Sequence, residues 1–190
     1  MLSIKNILSL EITSRRSIFG WLNVVFNKYD PDRVKAVGPD RACSEWLLRC
    51  GAAVRWTNQT TFLHDYNHLP AEGTKTYVEE IDATNSCIMH RGFPHLKGLK
   101  HLKKIVLNKA PYVDDACLYQ LKCVKETLEV LQVSENGSIT DAGLLYLKEL
   151  KSLQKLLVYG LPGVVEKEKT LRQLREALKD CQIKFNGEDF

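Results

Sequence analysis

The chain has 190 residues, 44% of them hydrophobic and 26% charged, with a formal net charge of +4 at pH 7. This balance is typical of one compact globular domain with appendages. It argues against a nucleic-acid-binding protein, whose Lys and Arg would cluster on one face. No stretch approaches the roughly 18 apolar residues of a membrane-spanning helix. The six cysteines include no Cys-x-x-Cys pair, so we interpret them as reduced packing residues.

The N-terminus predicts a targeting segment followed by an amphipathic helix. Residues 1–17 hold three basic residues and one acid, with serines among aliphatic residues, which favours a mitochondrial presequence over a disordered tail. In the helix that follows, aromatic and aliphatic residues recur at helical spacing. They predict contact with a lipid interface through Phe19, Trp21 and Leu22. The alternative is that the same side chains cap the end of the folded domain.

Two more helices are predicted before the first repeat. Asp30 and Pro31 suit an N-cap and a first helical residue. A stronger helix with one buried face is predicted over residues 40–50, and Gly51 provides its left-handed stop. With the short β-prone piece that follows, these helices define an N-terminal α-helical domain over residues 18–60.

The loop after this domain is rich in His and Asn. A metal-binding or catalytic role for His64 and His68 is one interpretation. Their imidazoles would face the same way only in a helix, however, and Pro70 argues for a loop. We favour hydrogen bonds that fasten this loop at the junction with the first repeat.

Residues 61–190 carry a repeated pattern, Leu-x-x-Leu-x-Leu, with any aliphatic residue or Cys allowed. Its first positions are 24, 26, 25 and 25 residues apart, which indicates stacked repeats. We therefore predict an α/β fold in which a leucine-rich-repeat solenoid of about four repeats, with parallel strands, follows an N-terminal α-helical cap domain. The alternative is core spacing in an ordinary α/β domain. The copies begin at Val78, Leu102, Leu128, Leu153 and, more weakly, Leu178.

Helical segments are predicted between the strands. The run Ile139-Thr-Asp-x-Gly-Leu144 closely echoes Val113-Asp-Asp-x-Cys-Leu118. We interpret the acidic residues of both runs as helix caps. A last helix is predicted from Lys167 to Leu178, with one apolar and one charged side.

The repeat strands predict a surface for binding a partner. Alternation along a strand turns every second side chain away from the core, and solenoids bind partners through such strand faces. A basic stripe is also predicted from Lys104, Lys155 and Lys184. The candidate partner-binding residues are Lys104, Val106, Gln132, Lys155 and Leu157.

The sequence offers no catalytic motif. It contains no Gly-rich phosphate loop, nucleophile elbow or zinc-ligand spacing, so we predict that the protein is not an enzyme. A leucine-rich-repeat substrate adaptor is a further hypothesis, although the predicted N-terminal helices do not look like the F-box that such an adaptor needs.

Several runs, spread over most of the chain after residue 18, are similar to those of one protein family. On these runs the chain resembles the ATP synthase coupling factor B family, also called subunit s, of animal mitochondria. The most specific are Val37-Gly-Pro-Asp-Arg-Ala42, Ser44-Glu-Trp-Leu-Leu-Arg-Cys-Gly-Ala52, Asp65-Tyr-Asn-His-Leu-Pro70 and Leu161-Pro-Gly-Val164.

The resemblance implies a mitochondrial protein bound peripherally to the inner membrane on the matrix side. Its implied role is non-catalytic: it would bind the membrane sector of the proton-transporting ATP synthase and support coupling, as a monomer or with weak self-association. An assembly factor for the membrane arm of respiratory complex I is the alternative within the same class. The resemblance also implies a Mg²⁺ ion held by backbone groups of Gly51 and Thr84. The carboxylate of Asp82 would lie near the ion without binding it directly.

The chain departs from this family at one place. The family carries a Cys-x-Cys pair in the second repeat, regarded as a redox-sensitive dithiol. The matching positions here are Asn108 and Ala110, which excludes a dithiol at this place. Either that chemistry is not essential to the family, or this chain is a diverged relative with a somewhat different task.

Overall fold

The computed structural model describes residues 20–185, so the predicted presequence and Phe19 lie outside the described residues. The described part contains a six-stranded sheet and helices that pack against it. The α-helices are α1 (20–26), α2 (Pro31–Val37), α3 (Pro39–Arg49), α4 (Asp115–Gln120), α5 (Asp141–Leu145) and α6 (Lys167–Ala177). The strands are β1 (Ala53–Trp56), β2 (Val78–Asp82), β3 (Lys104–Asn108), β4 (Val130–Ser134), β5 (Lys155–Tyr159) and β6 (Gln182–Phe185). Short 3₁₀ turns cover Tyr66–His68, Phe93–Leu96, Leu121–Val124 and Tyr146–Glu149.

The sheet follows chain order from β1 to β6. β1 runs antiparallel to β2, whereas β2 to β6 are parallel, each paired with the next. The strands therefore lie side by side, in the order in which the repeated pattern places them. The α/β class and the parallel pairing are confirmed.

The core lies between this sheet and the helices. Alternate strand side chains face inward in rows that cross β3, β4 and β5, such as Ile105, Leu131 and Leu156, and all three are buried. Leu118 of α4 and Leu144 of α5 are fully buried within the same cluster. Every second strand residue thus faces the core, and the others form the opposite face of the sheet.

A turn of one conformation follows each of the four central strands. The backbone is left-handed at Asn85, Lys109, Glu135 and Gly160, with φ between 50° and 63°. In the first three turns the N–H of this residue donates to the carbonyl of the last residue of the next strand, at 3.0 or 3.1 Å. The repeated spacing seen in the sequence therefore reappears in the backbone.

The acidic residues of the two echoing motifs have different roles. Asp114 caps α4 by accepting from the N–H of Cys117, as predicted. Asp115 instead accepts from the N–H and the hydroxyl of Thr140, at 2.8 and 2.6 Å. The matching Asp141 accepts from the N–H groups of Val165 and Glu166 ahead of α6 and from the hydroxyl of Thr170 within α6. The prediction that all these acids cap their own helices is therefore wrong for Asp115 and Asp141, each of which instead binds the segment that follows the next strand.

Replacing Gly143 with alanine tests this link. A Cβ at Gly143 would lie 2.0 Å from Asp115 Oδ1, so the carboxylate must leave Thr140. We expect Gly143→Ala to lower the free energy of unfolding by about 1–3 kcal/mol, measured by urea denaturation. Gly137→Ala is the control, because a Cβ there meets nothing within 4 Å. Equal stability of the two variants would contradict the assignment.

Helix α3 is buried on nearly every side. Ala42, Trp46, Leu47 and Cys50 are buried as predicted. The prediction of a single buried face is nevertheless wrong, because all of residues 42–48 are buried. The reason is that α3 packs against β1, α2 and two of the 3₁₀ turns at once. Local periodicity does not reveal contacts with elements that arrive from elsewhere in the chain.

This burial includes the charged side chain of Glu45, which is only 2% exposed. Arg33 donates through Nε to Oε2 at 2.9 Å and through Nη2 to Oε1 at 2.6 Å, and Arg41 Nε donates to Oε1 at 2.8 Å. Burial alone would raise the pKa of Glu45, but these hydrogen bonds outweigh it and hold that pKa below its usual value. The carboxylate therefore stays ionised and ties α2 to α3.

The predicted helix boundaries agree closely with the structure. Asp30 accepts from the N–H of Arg33 at 2.9 Å, and Pro31 opens α2. Gly51 follows α3 with φ at 79°, the left-handed conformation predicted for it. These signals depend on backbone preferences of one or two residues, so they are readable without knowledge of the fold.

Candidate partner-binding face and helix–sheet junction

The side chains that point away from the core form what we call the outer face of the sheet. In strand register, one row contains Glu80, Lys104, Val130, Lys155 and Gln182, and the next contains Asp82, Val106, Gln132, Leu157 and Lys184. The five candidate partner-binding residues thus lie together in two adjacent rows. Lys155 is exposed, and Lys104, Val106 and Gln132 are half-buried.

Leu157 differs from the exposure predicted for it. Its side chain is only 5% exposed, although it belongs to the outer face. In its row it lies between Gln132 and Lys184, and along its strand between Lys155 and Tyr159. These four side chains are all longer than that of Leu157, so they leave little of it accessible. Leu157 therefore lies beneath the longer side chains of the outer face and packs against them.

The predicted basic stripe is also altered by pairing across the sheet. Lys104 Nζ lies 3.5 Å from a carboxylate oxygen of Glu80, and Arg55 lies 2.6 Å from the other oxygen of the same carboxylate. Lys184 is in register with Leu157 rather than with Lys155, so it lies one row away. The prediction of a basic stripe is therefore wrong near β2, where Glu80 lies between Arg55 and Lys104.

A polar network extends from Gln132, in the second of these rows, to the carboxyl ends of β3, β4 and β5. Gln132 Nε2 donates to Ser134 Oγ at 2.9 Å and lies 3.3 Å from the hydroxyl of Tyr159. Ser134 donates in turn to Asn108 Oδ1 at 2.9 Å. Asn108, one of the two positions without the family's thiols, thus belongs to this network, whereas Ala110 is buried. The contacts hold the polar side chains in fixed positions before any partner arrives.

Helix α1 presents apolar side chains to solvent. Trp21 is 65% exposed, and Val24, Val25 and Phe26 are exposed as well. Leu22 is half-buried, so the accessible apolar surface includes Trp21 but is centred on the C-terminal half of the helix. Among residues 20–185, no helix is both long and apolar enough to cross a membrane.

Asn27 attaches α1 to α3 and to the loop after β2, a role that the sequence did not suggest. Its side chain is fully buried. Its Nδ2 donates to the carbonyls of Asn23 and Cys87 at 2.8 and 2.9 Å. Its Oδ1 accepts from Trp46 Nε1 at 3.1 Å and from the N–H of Met89 at 2.7 Å. One amide therefore joins α1, α3 and the loop after β2.

Beside it, His95 lies between two aromatic rings. It stacks on Trp46 with a centroid distance of 5.3 Å and meets the edge of Tyr29 at 4.9 Å. Its Nδ1 lies 2.9 Å from the carbonyl oxygen of Gly92, and its Nε2 lies 3.5 Å from the backbone nitrogen of Asp30. These partners assign a neutral ring with the proton on Nδ1. Burial lowers the pKa of His95.

This shift predicts a dependence of stability on pH. Below about pH 6.5 the unfolded chain takes up a proton at His95 that the folded protein resists, so stability is full above that pH and falls as the pH decreases. We expect the urea midpoint to decrease between pH 7.5 and 5.5, and to decrease less in His95→Gln. His64→Gln, at an exposed loop position, is the control. An unchanged midpoint in the parent protein would contradict the expectation.

The residues implied for Mg²⁺ lie beside the antiparallel pair of β1 and β2. Ala53 of β1 is opposite Asp82 of β2, and Gly51 precedes Ala53 by two residues just as Thr84 follows Asp82 by two. Asp82 Oδ1 accepts from the N–H of Thr84 at 2.9 Å. Within the described part of the chain, no group of three or more His, Cys, Asp and Glu side chains is placed to hold a metal. The arrangement fits only an ion that keeps most of its water.

Two cysteines also meet at this junction, at the end of α3 and in the loop after β2. The N–H of Cys87 donates to the carbonyl oxygen of Cys50 at 2.9 Å, and Cys87 Sγ lies 3.3 Å from the same oxygen. A hydrogen bond between the two thiols lowers the pKa of Cys87 to about 7 and raises that of Cys50. Cys50 is 2% exposed, whereas Cys87 is half-buried.

The loop with His64 and His68 forms a local structure. Asp65 Oδ1 accepts from the N–H of Asn67 at 2.8 Å and caps the turn Tyr66–His68. His68 Nδ1 lies 3.0 Å from the other carboxylate oxygen. The hydroxyl of Tyr66 accepts from Arg49 of α3 at 2.9 Å. The loop is thus fastened to the helical segment by hydrogen bonds.

Comparison with known proteins gives the family. No protein-family model matches the chain. The mitochondrial ATP synthase subunit s of Homo sapiens is 47% identical over 174 residues, covering 90% of this chain and 87% of its own length. Its Bos taurus counterpart is 44% identical over 175 residues, with 90% and 88% covered. Distal membrane arm assembly component 2 of Drosophila melanogaster is 27% identical over 162 residues, with 82% and 57% covered. An α/β fold and this level of identity over nine-tenths of the chain lead to one conclusion: the chain belongs to the mitochondrial ATP synthase subunit s family.

Proposed function

We propose that the protein is a non-catalytic coupling factor of the proton-transporting ATP synthase, which it binds at the matrix side of the mitochondrial inner membrane through the outer face. The observation that carries the proposal is the family relationship, at 44–47% identity to mitochondrial ATP synthase subunits s. The outer face suits the role because its exposed Lys155 and its fixed polar network offer directional contacts without a catalytic group.

We also infer that β2 to β6 and the helices between them are units of a leucine-rich-repeat solenoid. Support comes from the left-handed residue after each central strand and from the aspartates that link one unit to the next. Such arrays present a continuous strand face, which favours binding of a protein surface over enclosure of a small molecule.

The exposed apolar surface of α1 supports peripheral contact with the membrane. Trp21 is the most exposed of its large side chains, and Trp is favoured at the lipid interface. We expect Trp21→Ser to weaken co-sedimentation with cardiolipin-containing vesicles several-fold. Val165→Ser is the control, because Val165 is 82% exposed at a distance along the chain from α1. Equal binding by the two variants would contradict a lipid-facing α1.

Reversing the charges of the outer face tests partner binding. We expect Lys104→Glu with Lys155→Glu to reduce capture of the solubilised ATP synthase at least tenfold, because like charges at a protein interface are strongly unfavourable. The matched control is Lys125→Glu with Lys179→Glu, which changes the net charge equally at positions that follow helical segments. Equal capture by both double variants, with unchanged thermal melting, would contradict binding through this face.

A second candidate function is assembly of the membrane arm of respiratory complex I. The observation that favours it is the distant similarity to distal membrane arm assembly component 2. The same capture experiment separates the two, since mass spectrometry of the bound material identifies either synthase subunits or complex I intermediates. Recovery of complex I intermediates alone would favour the second candidate.

We propose, finally, that a largely hydrated Mg²⁺ binds the edge formed by Gly51, Thr84 and Asp82. The ion would neutralise Asp82 and tie the end of α3 to the end of β2. We expect Mg²⁺ to raise the melting temperature, EDTA to reverse this, and Asp82→Asn to weaken Mg²⁺ affinity by roughly ten- to a hundredfold in calorimetric titrations. An unchanged affinity in Asp82→Asn would exclude this edge.

A further inference from the structure

We propose that Cys50 and Cys87 form a redox-convertible pair, in which Cys87 is the site of attack on low-molecular-weight disulfides and Cys50 is the resolving thiol. The inference starts from geometry. The backbone N–H of Cys87 donates directly to the carbonyl of Cys50 at 2.9 Å, so the backbones of the two residues are adjacent, as a disulfide between them requires. Cys87 Sγ also lies 3.3 Å from the same carbonyl oxygen, so the sulfur of Cys87 is directed toward the backbone of Cys50.

The two cysteines differ in a way that sets the order of events. Cys87 is half-buried and reachable from solvent, whereas Cys50 is 2% exposed and lies behind it. An incoming disulfide therefore meets Cys87 first.

The reaction balances with glutathione disulfide as the oxidant. Cys87 loses its thiol proton, and its sulfur attacks one glutathione sulfur, so that a mixed disulfide forms and one glutathione thiolate leaves and takes up that proton. The Cys50 sulfur then attacks the Cys87 sulfur, and the second glutathione leaves with the proton of Cys50. Two protein thiols are oxidised to one disulfide while glutathione disulfide is reduced to two glutathione thiols.

The four remaining cysteines of the chain are less suited to this reaction. Cys43 and Cys117 are buried, and burial raises the pKa of both thiols. Cys123 and Cys181 are half-buried, but burial raises their pKa values too. Each therefore holds a smaller fraction of reactive thiolate than Cys87.

The disulfide would change how firmly α1 is attached to its neighbours. The carbonyl of Cys87 accepts from Asn27, and the N–H of Met89 donates to the same amide. A covalent bond from Cys87 to the end of α3 fixes this loop against Trp46, the other partner of Asn27. Oxidation is thus expected to hold α1 more firmly against α3 and the loop after β2, and reduction to release it more readily.

The test uses the full chain in buffers of graded glutathione disulfide to glutathione ratio, followed by alkylation and peptide mapping without reduction. We expect a Cys50–Cys87 disulfide to appear at a lower ratio than any other disulfide. Its formation, which closes a loop from residue 50 to residue 87, should raise the melting temperature by roughly 5–15 °C. A disulfide between Cys43 and Cys123 appearing first, or a Cys87 that reacts no faster than Cys181, would overturn the proposal.

Two variants separate the roles of the two thiols. In Cys50→Ala the mixed disulfide has no resolving thiol, so a glutathione adduct should accumulate on Cys87. In Cys87→Ala the buried Cys50 should remain unmodified. Cys123→Ala is the control and should oxidise as the parent does. An adduct on Cys50 in Cys87→Ala would overturn the assigned order, and mapping of the parent chain decides the pair itself even where a variant does not fold.

Discussion

Replacing Glu45 with glutamine is expected to lower the free energy of unfolding by about 2–4 kcal/mol. Removing one partner of a buried ion pair leaves the other charges uncompensated, at a typical cost of about 3–5 kcal/mol. The expected loss is somewhat smaller here because Arg33 is 33% exposed and can recover part of its hydration. The measurement is urea unfolding followed by tryptophan fluorescence at neutral pH.

Glu72→Gln is the matched control for this experiment. Glu72 Oε1 lies 2.5 Å from Nη2 of the same Arg33, but its side chain is 60% exposed. Exposed ion pairs contribute about 0–1 kcal/mol, so the control should unfold almost as the parent does. Two variants of equal stability would show that burial does not strengthen the contact of Glu45 with its arginines.

The same carboxylate predicts the behaviour of the protein in acid. Because the folded pKa of Glu45 lies below the ordinary value of about 4.5, its contribution is fully present above that value and is lost as the pH falls through the folded pKa. In Glu45→Gln, stability should therefore decrease less steeply than in the parent below pH 4.5. Parallel curves for the two proteins in this range would contradict the shift.

Replacing Asn27 with alanine is expected to detach α1 from α3 and from the loop after β2 without unfolding the core. The change leaves the indole N–H of Trp46, the N–H of Met89 and the carbonyl of Cys87 without the partner that Asn27 provides. Each buried polar group left unsatisfied costs about 1–3 kcal/mol. The amide protons of residues 23–28 should therefore exchange roughly a hundredfold faster, as measured by hydrogen exchange and mass spectrometry.

Asn23→Ala serves as the control for this result. Asn23 lies one turn earlier in α1 and accepts from Asn27 through its backbone carbonyl, a contact that alanine preserves. Its variant should retain the exchange rates of the parent. If Asn27→Ala also retained them, α1 would be held by its apolar contacts alone. If the whole chain unfolded instead, Asn27 would be part of the global folding unit.

Several features of this protein follow from short stretches of sequence. The copies at Leu102, Leu128 and Leu153 correctly located three adjacent parallel strands, because side chains that alternate between a core and a second face must recur with the strand period. The N-cap at Asp30 and the helix stop at Gly51 were also correct. Both depend on backbone preferences that a residue carries into any fold.

Other predictions failed where neighbouring strands decide the outcome. Leu157 alternates as an exposed residue should, yet side chains of its own strand and of the adjacent strands cover it. Lys104 belongs to the predicted basic stripe, yet Glu80 of the next strand balances its charge. Exposure and net local charge are properties of the assembled sheet, so the register must be known before either can be assigned.

The sequence by itself determined the period of the strands, their parallel order and the family of the chain, because each is encoded in local spacing or in runs of identical residues. Only the tertiary structure identified Asn27 as the residue that attaches α1, and Gly143 as the residue whose missing side chain leaves room for Asp115. It alone also showed that Cys50 lies beside Cys87. The partners in these contacts lie between 19 and 62 residues apart in the chain. Hydrogen bonds, steric exclusion and thiol contacts act over a few ångströms, so they depend on the folded path of the backbone.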